Sequence, residues 1–187
     1  QVLKGKAISL VTASWNGGMP GVWWWRRMAT SGGQIVEQST HMVDLIRYLC
    51  GDVAEVHGVA TTGCMTHVKE FDVHDSSVVS LRLKSGAVAT LTSSCVTNHG
   101  GRVSLEVVTP EATLSFQDGR VTVHEDGKTT QYLPSVNMYE EEDKAFIDAV
   151  RNGKRGRIKS TYADAQKTFA VTCAANESLQ SGMPVVP

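Results

Sequence analysis

Between residues 77 and 133 the chain is a succession of short, β-branched runs joined by turns too short to hold a helix. Residues 77–83 and 87–95 are linked by Lys84-Ser85-Gly86, a hairpin signal. Runs at 102–108, 112–116, 120–124 and 129–133 follow, and Asp118-Gly119 and Asp126-Gly127 turn the last three into a meander. Parallel neighbours need a crossover of about a dozen residues or more, so connections this short dictate a largely antiparallel sheet. Two earlier runs, 6–15 and 53–64, read as further strands. The expected fold is α+β: one open, mainly antiparallel sheet of about six to nine strands, with helices covering one face.

The helices are three. Residues 32–51 carry apolar side chains at helical spacing between bracketing glycines and read as one continuous helix. Ile35, Val36, Met42, Val43, Ile46, Leu49 and Cys50 share half of its wheel, while Glu37, His41, Asp44 and Tyr48 gather opposite. Two more helices are expected at 138–151, capped by Ser135 or Asn137, and at 161–181, capped by Ser160. The first should bury Ala145, Phe146, Ala149 and Val150; the second should present Ala165, Phe169, Thr172, Cys173 and Asn176 as one stripe.

The polar side of the 32–51 helix is unusual. Solvated faces carry Lys and Glu, but here Glu37 and His41 stand at i and i+4, where side chains meet. A carboxylate beside an imidazole is a proton-transfer pair, because it fixes the tautomer and stabilises the imidazolium.

The run Ser31-Gly32-Gly33-x-x-x-Glu37-x-x-x-His41-x-x-Asp44-Leu45-x-x-Tyr48-Leu49-x-Gly51 resembles the signature of the Gfo/Idh/MocA family of NAD(P)-dependent sugar and polyol dehydrogenases. The ending is similar too, with Ser160-Thr161-Tyr162-x-Asp164-Ala165 and a later Ala-Ala-x-x-Ser. The resemblance implies that His41 is the catalytic acid/base and that Glu37, where many members have Asp, is its catalytic partner. It places Asp44 beside them at the substrate. It further implies a dihydrodipicolinate reductase-like α/β arrangement, NAD or NADP as cofactor, a sugar or polyol as substrate, and a dimer or tetramer formed through the sheet. The matching region is the substrate-side half of such an enzyme. No G-x-G-x-x-G lies between a strand and a helix, and strands and helices do not alternate as in a parallel sheet. Residues 1–187 are therefore expected to be a single substrate-binding and oligomerisation domain, the N-terminal Rossmann domain lying outside this chain. No cofactor-binding residue can be named in this half.

Other candidates come from local chemistry. Trp23-Trp24-Trp25-Arg26-Arg27 follows a glycine-rich loop. Some of these tryptophans must seal the core or an interface. One Trp and one Arg are candidates for the substrate pocket, an aromatic face suiting sugar C–H groups and a guanidinium suiting hydroxyls. We take Trp25 and Arg26, with Arg27 open as the alternative, and add His99 from the turn Asn98-His99-Gly100-Gly101.

Charge excludes some classes. Eighteen Lys and Arg nearly cancel nineteen Asp and Glu, so no global field favours nucleic acid or an anionic membrane. No apolar run reaches the roughly 20 residues of a membrane span. Cys50, Cys64, Cys95 and Cys173 show no C-x-x-C and read as buried thiols of a reducing, cytoplasmic protein. No histidine pair has the spacing of a helix-borne metal site, so no metal is expected. Two other readings stay open: a non-catalytic sugar-binding or assembly module derived from the same family, and, more distantly, a metal-dependent hydrolase using His41 and Asp44.

Overall fold

The computed structural model describes residues 2–187. One sheet of eight strands carries the fold: β1 (Leu10–Asn16), β2 (Val53–Thr61), β3 (Ser76–Leu83), β4 (Val88–Ser94), β5 (Arg102–Val108), β6 (Ala112–Gln117), β7 (Arg120–Glu125) and β8 (Lys128–Tyr132). Their order is β2-β3-β4-β1-β5-β6-β7-β8. Neighbours are antiparallel except β1 and β4, which run parallel with Thr12 opposite Thr90. The β6–β7 turn works because Asp118 and Gly119 both take positive φ, 50° and 81°, as a tight hairpin demands. β1 starts at Leu10, later than residue 6, and β2 stops at Thr61, after which a polar loop runs to β3.

Among the described residues five α-helices accompany the sheet: α1 (Met28–Ser31), α2 (Gly33–Glu37), α3 (Thr40–Cys50), α4 (Met138–Asn152) and α5 (Tyr162–Ser181). The core lies between α3, α5 and the β2–β3–β4–β1–β5 part of the sheet. Met42, Val43 and Ile46 of α3 and Val171, Ala174 and Ala175 of α5 meet Val11, Ala13, Val79, Leu81, Leu91 and Leu105. Each large apolar side chain buried this way contributes roughly 1.5–3 kcal/mol. The strands alternate as one-faced strands must: β3 buries Ser77, Val79, Leu81 and Leu83 and turns Val78, Ser80 and Arg82 outward.

Residues 161–181 are helical as expected, but α5 buries a different stripe: Thr168, Val171, Thr172, Ala174, Ala175 and Ser178. Phe169 and Cys173 face solvent. The reason is close approach. A Cβ at Gly58 of β2 would lie 2.7 Å from Leu179 Cδ2, and the Gly58 amide donates to Ser178 Oγ at 3.0 Å. Small residues let the helix sit this near the strand; Phe169 could not. Its cap is Thr161, whose hydroxyl accepts from the Asp164 amide, in place of Ser160.

α4 begins, as expected, on an Asn137 cap. Of its four expected core residues Ala145 is buried and Ala149 half-buried, whereas Phe146 and Val150 are 63% and 69% exposed. Helix formation there owes more to capping and Glu–Lys pairs such as Glu140–Lys144 than to burial. The thiols also divide. Cys50 and Cys95 are buried, and burial pushes both up to about 11. Cys64, in the loop after β2, and Cys173 are exposed, contrary to the expectation of four buried thiols.

Candidate active site

The expected single helix over 32–51 is broken. α2 ends at Glu37 and α3 starts at Thr40, with Gln38 at φ −122°, ψ −51° between them. Tertiary hydrogen bonds impose the break. The Ser39 hydroxyl pairs with the Ser93 hydroxyl of β4 at 2.6 Å, wholly inside the protein. One turn earlier, the Gln34 amide nitrogen donates to the Trp15 carbonyl at 3.1 Å and the Ser94 carbonyl at 2.6 Å. These bonds satisfy buried groups that would otherwise cost about 1–3 kcal/mol each. They fasten the break to the carboxyl ends of β1 and β4, the one parallel pair among the described strands.

Glu37 and His41 therefore do not share a helix, and no hydrogen bond or ion pair joins them among the described residues. The i, i+4 pair is a correction to the sequence reading. Burial raises the Glu37 carboxyl above its usual value. His41 stands exposed in the first turn of α3. Its imidazole lies beside the indole of Trp15, ring centres 5.5 Å apart and planes tilted by 32°. Around it His41, Asp44, Leu45, Tyr48, Lys159, Ser160 and Asp164 line a shallow cleft of about 330 Å³.

Asp44 is tied to a buried arginine. Arg47, 7% exposed, donates to Asp52 at 2.9 Å, to Asp164 at 3.0 Å and to Thr168 at 2.6 Å. The Thr168 hydroxyl in turn donates to Asp44 at 2.7 Å. Hydrogen bonds from Arg47 hold the Asp52 and Asp164 carboxyls below the usual carboxylate value. Asp44 thus lines the cleft and also belongs to the network that clamps α3 to α5. Sequence reasoning missed Arg47, yet the signal was there: a lone charge at the border of the apolar half of the wheel, one turn after Val43 and one turn before Cys50. Trp15, Gln34 and Ser39 were missed as well; their partners lie on distant strands, and no local pattern marks them.

The remaining candidates do not converge on this cleft. Trp25 is buried in the loop between β1 and α1, so it seals that loop, whereas Trp23 is 65% exposed. Arg26 donates to the Pro20 and Gly21 carbonyls and closes its own loop. Arg27 pairs with Asp72 at 3.0 Å. Neither guanidinium lines the His41 cleft. His99 is exposed in the loop after β4, which lies against the end of β1 through the Thr97 amide and the Gly17 carbonyl.

Among the described residues no cluster of three or more His, Cys, Asp or Glu could hold a metal ion, and no helix is long and apolar enough to cross a membrane. A dinucleotide's pyrophosphate fits poorly here. The sheet offers one parallel pair rather than a parallel βαβ series, and in the first turns of α4 and α5 the Tyr139, Glu140 and Asp164 amides already donate to the Asn137 and Thr161 side chains.

The architecture is an open, mainly antiparallel sheet with α3 and α5 packed on one face. Residues 5–115 match the GFO/IDH/MocA C-terminal domain, and the chain belongs to that family. It is 28% identical over 167 residues to scyllo-inositol 2-dehydrogenase (NAD(+)) of Bacillus subtilis (strain 168), covering 83% of this chain and 48% of the relative. Its fold is similar to that of levoglucosan dehydrogenase in complex with NADH and L-sorbose, with a TM-score of 0.81 at 18% identity over 98% of this chain and 59% of the other. GenD2 from gentamicin A biosynthesis, in complex with NAD, gives a TM-score of 0.78 at 20% identity over 97% and 56%. The chain spans about half the length of the curated relatives it matches.

Proposed function

We propose that this chain is the substrate-side half of an NAD(P)-dependent oxidoreductase acting on the CH–OH group of a sugar, polyol or related compound, with His41 as its proton-transfer residue. The observation that carries the reading is the placement of His41: exposed, at the carboxyl ends of β1 and β4, at the edge of a cleft lined by hydrogen-bonding side chains. Small-molecule sites are clefts with a few convergent polar groups of this kind. Family membership and the dehydrogenases among its relatives support the reaction class.

The nicotinamide dinucleotide supplies the hydride acceptor or donor. NADH and NAD in the similar levoglucosan dehydrogenase and GenD2 structures support that cofactor type. Because these residues make no pyrophosphate cradle, a separate dinucleotide-binding domain holds it in our proposal. This chain's own contribution is positional. A ring nitrogen of His41 accepts the hydroxyl proton of the carbinol, or returns it in the reverse direction. Asp44, Tyr48, Lys159 and Ser160 offer acceptors and donors for neighbouring hydroxyls. Arg47 keeps the cleft in shape by fixing α3 against α5.

The test is His41→Asn in the oxidoreductase that contains this domain. Loss of a positioned proton-transfer group lowers kcat by roughly 10²–10⁴, about 3–5 kcal/mol of barrier. Melting temperature should hardly move, since the side chain is exposed. Retention of more than about a third of wild-type kcat, far above that range, refutes the assignment. The second reading, a sugar-binding or assembly module without catalysis, is favoured by one observation: Glu37 does not pair with His41. It predicts that the His41→Asn protein binds sugar as before and that the unsubstituted protein turns nothing over.

A further inference from the structure

We propose that Trp15 is a positioning residue for His41: the indole holds the imidazole in the plane that proton transfer requires. The inference rests on the proton-transfer role proposed above for His41.

His41 has freedom that a catalytic group cannot keep. Its backbone is fixed, because Met42, Val43 and Ile46 anchor α3 in the core. Its ring is not, because it is exposed and neither ring nitrogen has a hydrogen-bond partner among the described residues. An unrestrained imidazole would spend most of its time turned away from the substrate hydroxyl, and proton transfer needs hydrogen-bond reach. The sequence offers Glu37 for the task, and the helix break removes it. What stands against the ring instead is Trp15, centres 5.5 Å apart and planes at 32°.

Trp15 suits the part for two reasons. First, it springs from one of the most constrained places in the molecule. β1 is paired on both sides, with Trp15 opposite Ser93 of β4 and Val103 of β5, and the Trp15 carbonyl accepts from Gln34. The same Gln34 side chain also ties the strand ends to α2, which precedes the His41 helix, so strand and helix are held in one frame. Secondly, a stacking contact restrains the ring without consuming a nitrogen. A carboxylate partner would occupy one. With the indole in its place, both nitrogens stay open, one for the substrate hydroxyl and the other for water. The 5.5 Å separation lies within the range that aromatic pairs prefer.

Two measurements test this, and they fail separately. In the 187-residue chain, NMR should show nuclear Overhauser contacts between the Trp15 indole and the His41 ring protons, with ring-current displacement that disappears in Trp15→Leu. Absence of both in the unsubstituted chain overturns the proposal, even if Trp15→Leu does not fold. In the oxidoreductase containing this domain, Trp15→Leu should lower kcat by about tenfold or more while KM stays within about twofold. Trp15→Phe, which keeps an aromatic face, should recover kcat to within about threefold of wild type. If His41→Asn abolishes turnover and Trp15→Leu leaves kcat unchanged, His41 keeps its role and Trp15 loses this one. If His41→Asn turns over normally, both assignments fall. If Trp15→Phe is as impaired as Trp15→Leu, and melting temperature and KM move with kcat, Trp15 is a packing residue and the proposal is overturned.

Discussion

Glu37 and His41 are four residues apart in sequence, yet Glu37 closes one helix and His41 stands in the first turn of the next, with no hydrogen bond or ion pair between them. Burial raises the Glu37 carboxyl, so the folded state favours its protonated form. The stability tied to a raised group is present below its unfolded-state value and lost as pH rises through the folded one. Glu37→Gln should therefore raise the melting temperature at pH 7 and change it little near pH 4, about the unfolded-state value. In the proposed oxidoreductase, kcat should change by less than about threefold, well short of the loss expected for a proton-transfer partner. A pH-independent fall in melting temperature, or a loss of kcat near 10², contradicts this account.

Arg47→Met should destabilise the protein by about 1.5–3 kcal/mol, the range for hydrogen bonds to charged groups. The loss should fall toward the low end, since Asp52 and Asp164 stay partly open to solvent. Their carboxyls lie below the usual value because Arg47 bonds to them. Such groups contribute stability above their unfolded-state value and lose it as pH falls through the folded one. The melting-temperature gap between wild type and variant should then be widest at neutral pH and narrow below about pH 4. Thermal melts at pH 7 and pH 3 check it; an equal gap at both sinks the ion-pair account.

The open face of the sheet should carry a second copy of the chain. Leu10, Val59, Val78 and Val88 are 37–62% exposed there, and Val59 lies opposite Val78 across β2 and β3. Thr12, Ser14, Ser80, Thr90 and Thr92 fill the space around them with short side chains that permit close contact. Light scattering at tens of micromolar, an order-of-magnitude choice for a standard-sized interface, should show a dimer or larger. Val78→Glu should shift it toward monomer, and a wild-type protein that is monomeric throughout overturns the expectation.

The sheet was legible because its rules are local. Turns such as Asp118-Gly119 set register between adjacent runs, and residues 102–108 emerge as β5 with the bounds the sequence implied. The helix break was not legible. Ser39 needs Ser93, and Gln34 needs Ser94, partners 54 and 60 residues away that no helical wheel displays. The buried stripe of α5 was hidden likewise, because it depends on the missing side chain of Gly58. For the site, the position of His41 could be read and its neighbours could not. Trp15 lies on a strand that only the fold brings beside α3.

The parallel pairing of β1 with β4 also governs how the chain can assemble. β2, β3 and β4 close as consecutive hairpin-like neighbours, and β5 to β8 close as a meander, each from residues near in sequence. β1 alone joins the two groups, and its partners lie far downstream, Ser14 meeting Thr92 and Ser104. Closing loops of that length carries an entropic cost before any contact offsets it. The first of these eight strands in chain order is thus the last to be seated. It docks as a keystone between two half-sheets that formed without it. Pulse-labelled hydrogen exchange during refolding should find the amides of Val11 and Ala13 protected after those of Val79 and Val123, and the platform under His41 completed only at that final step.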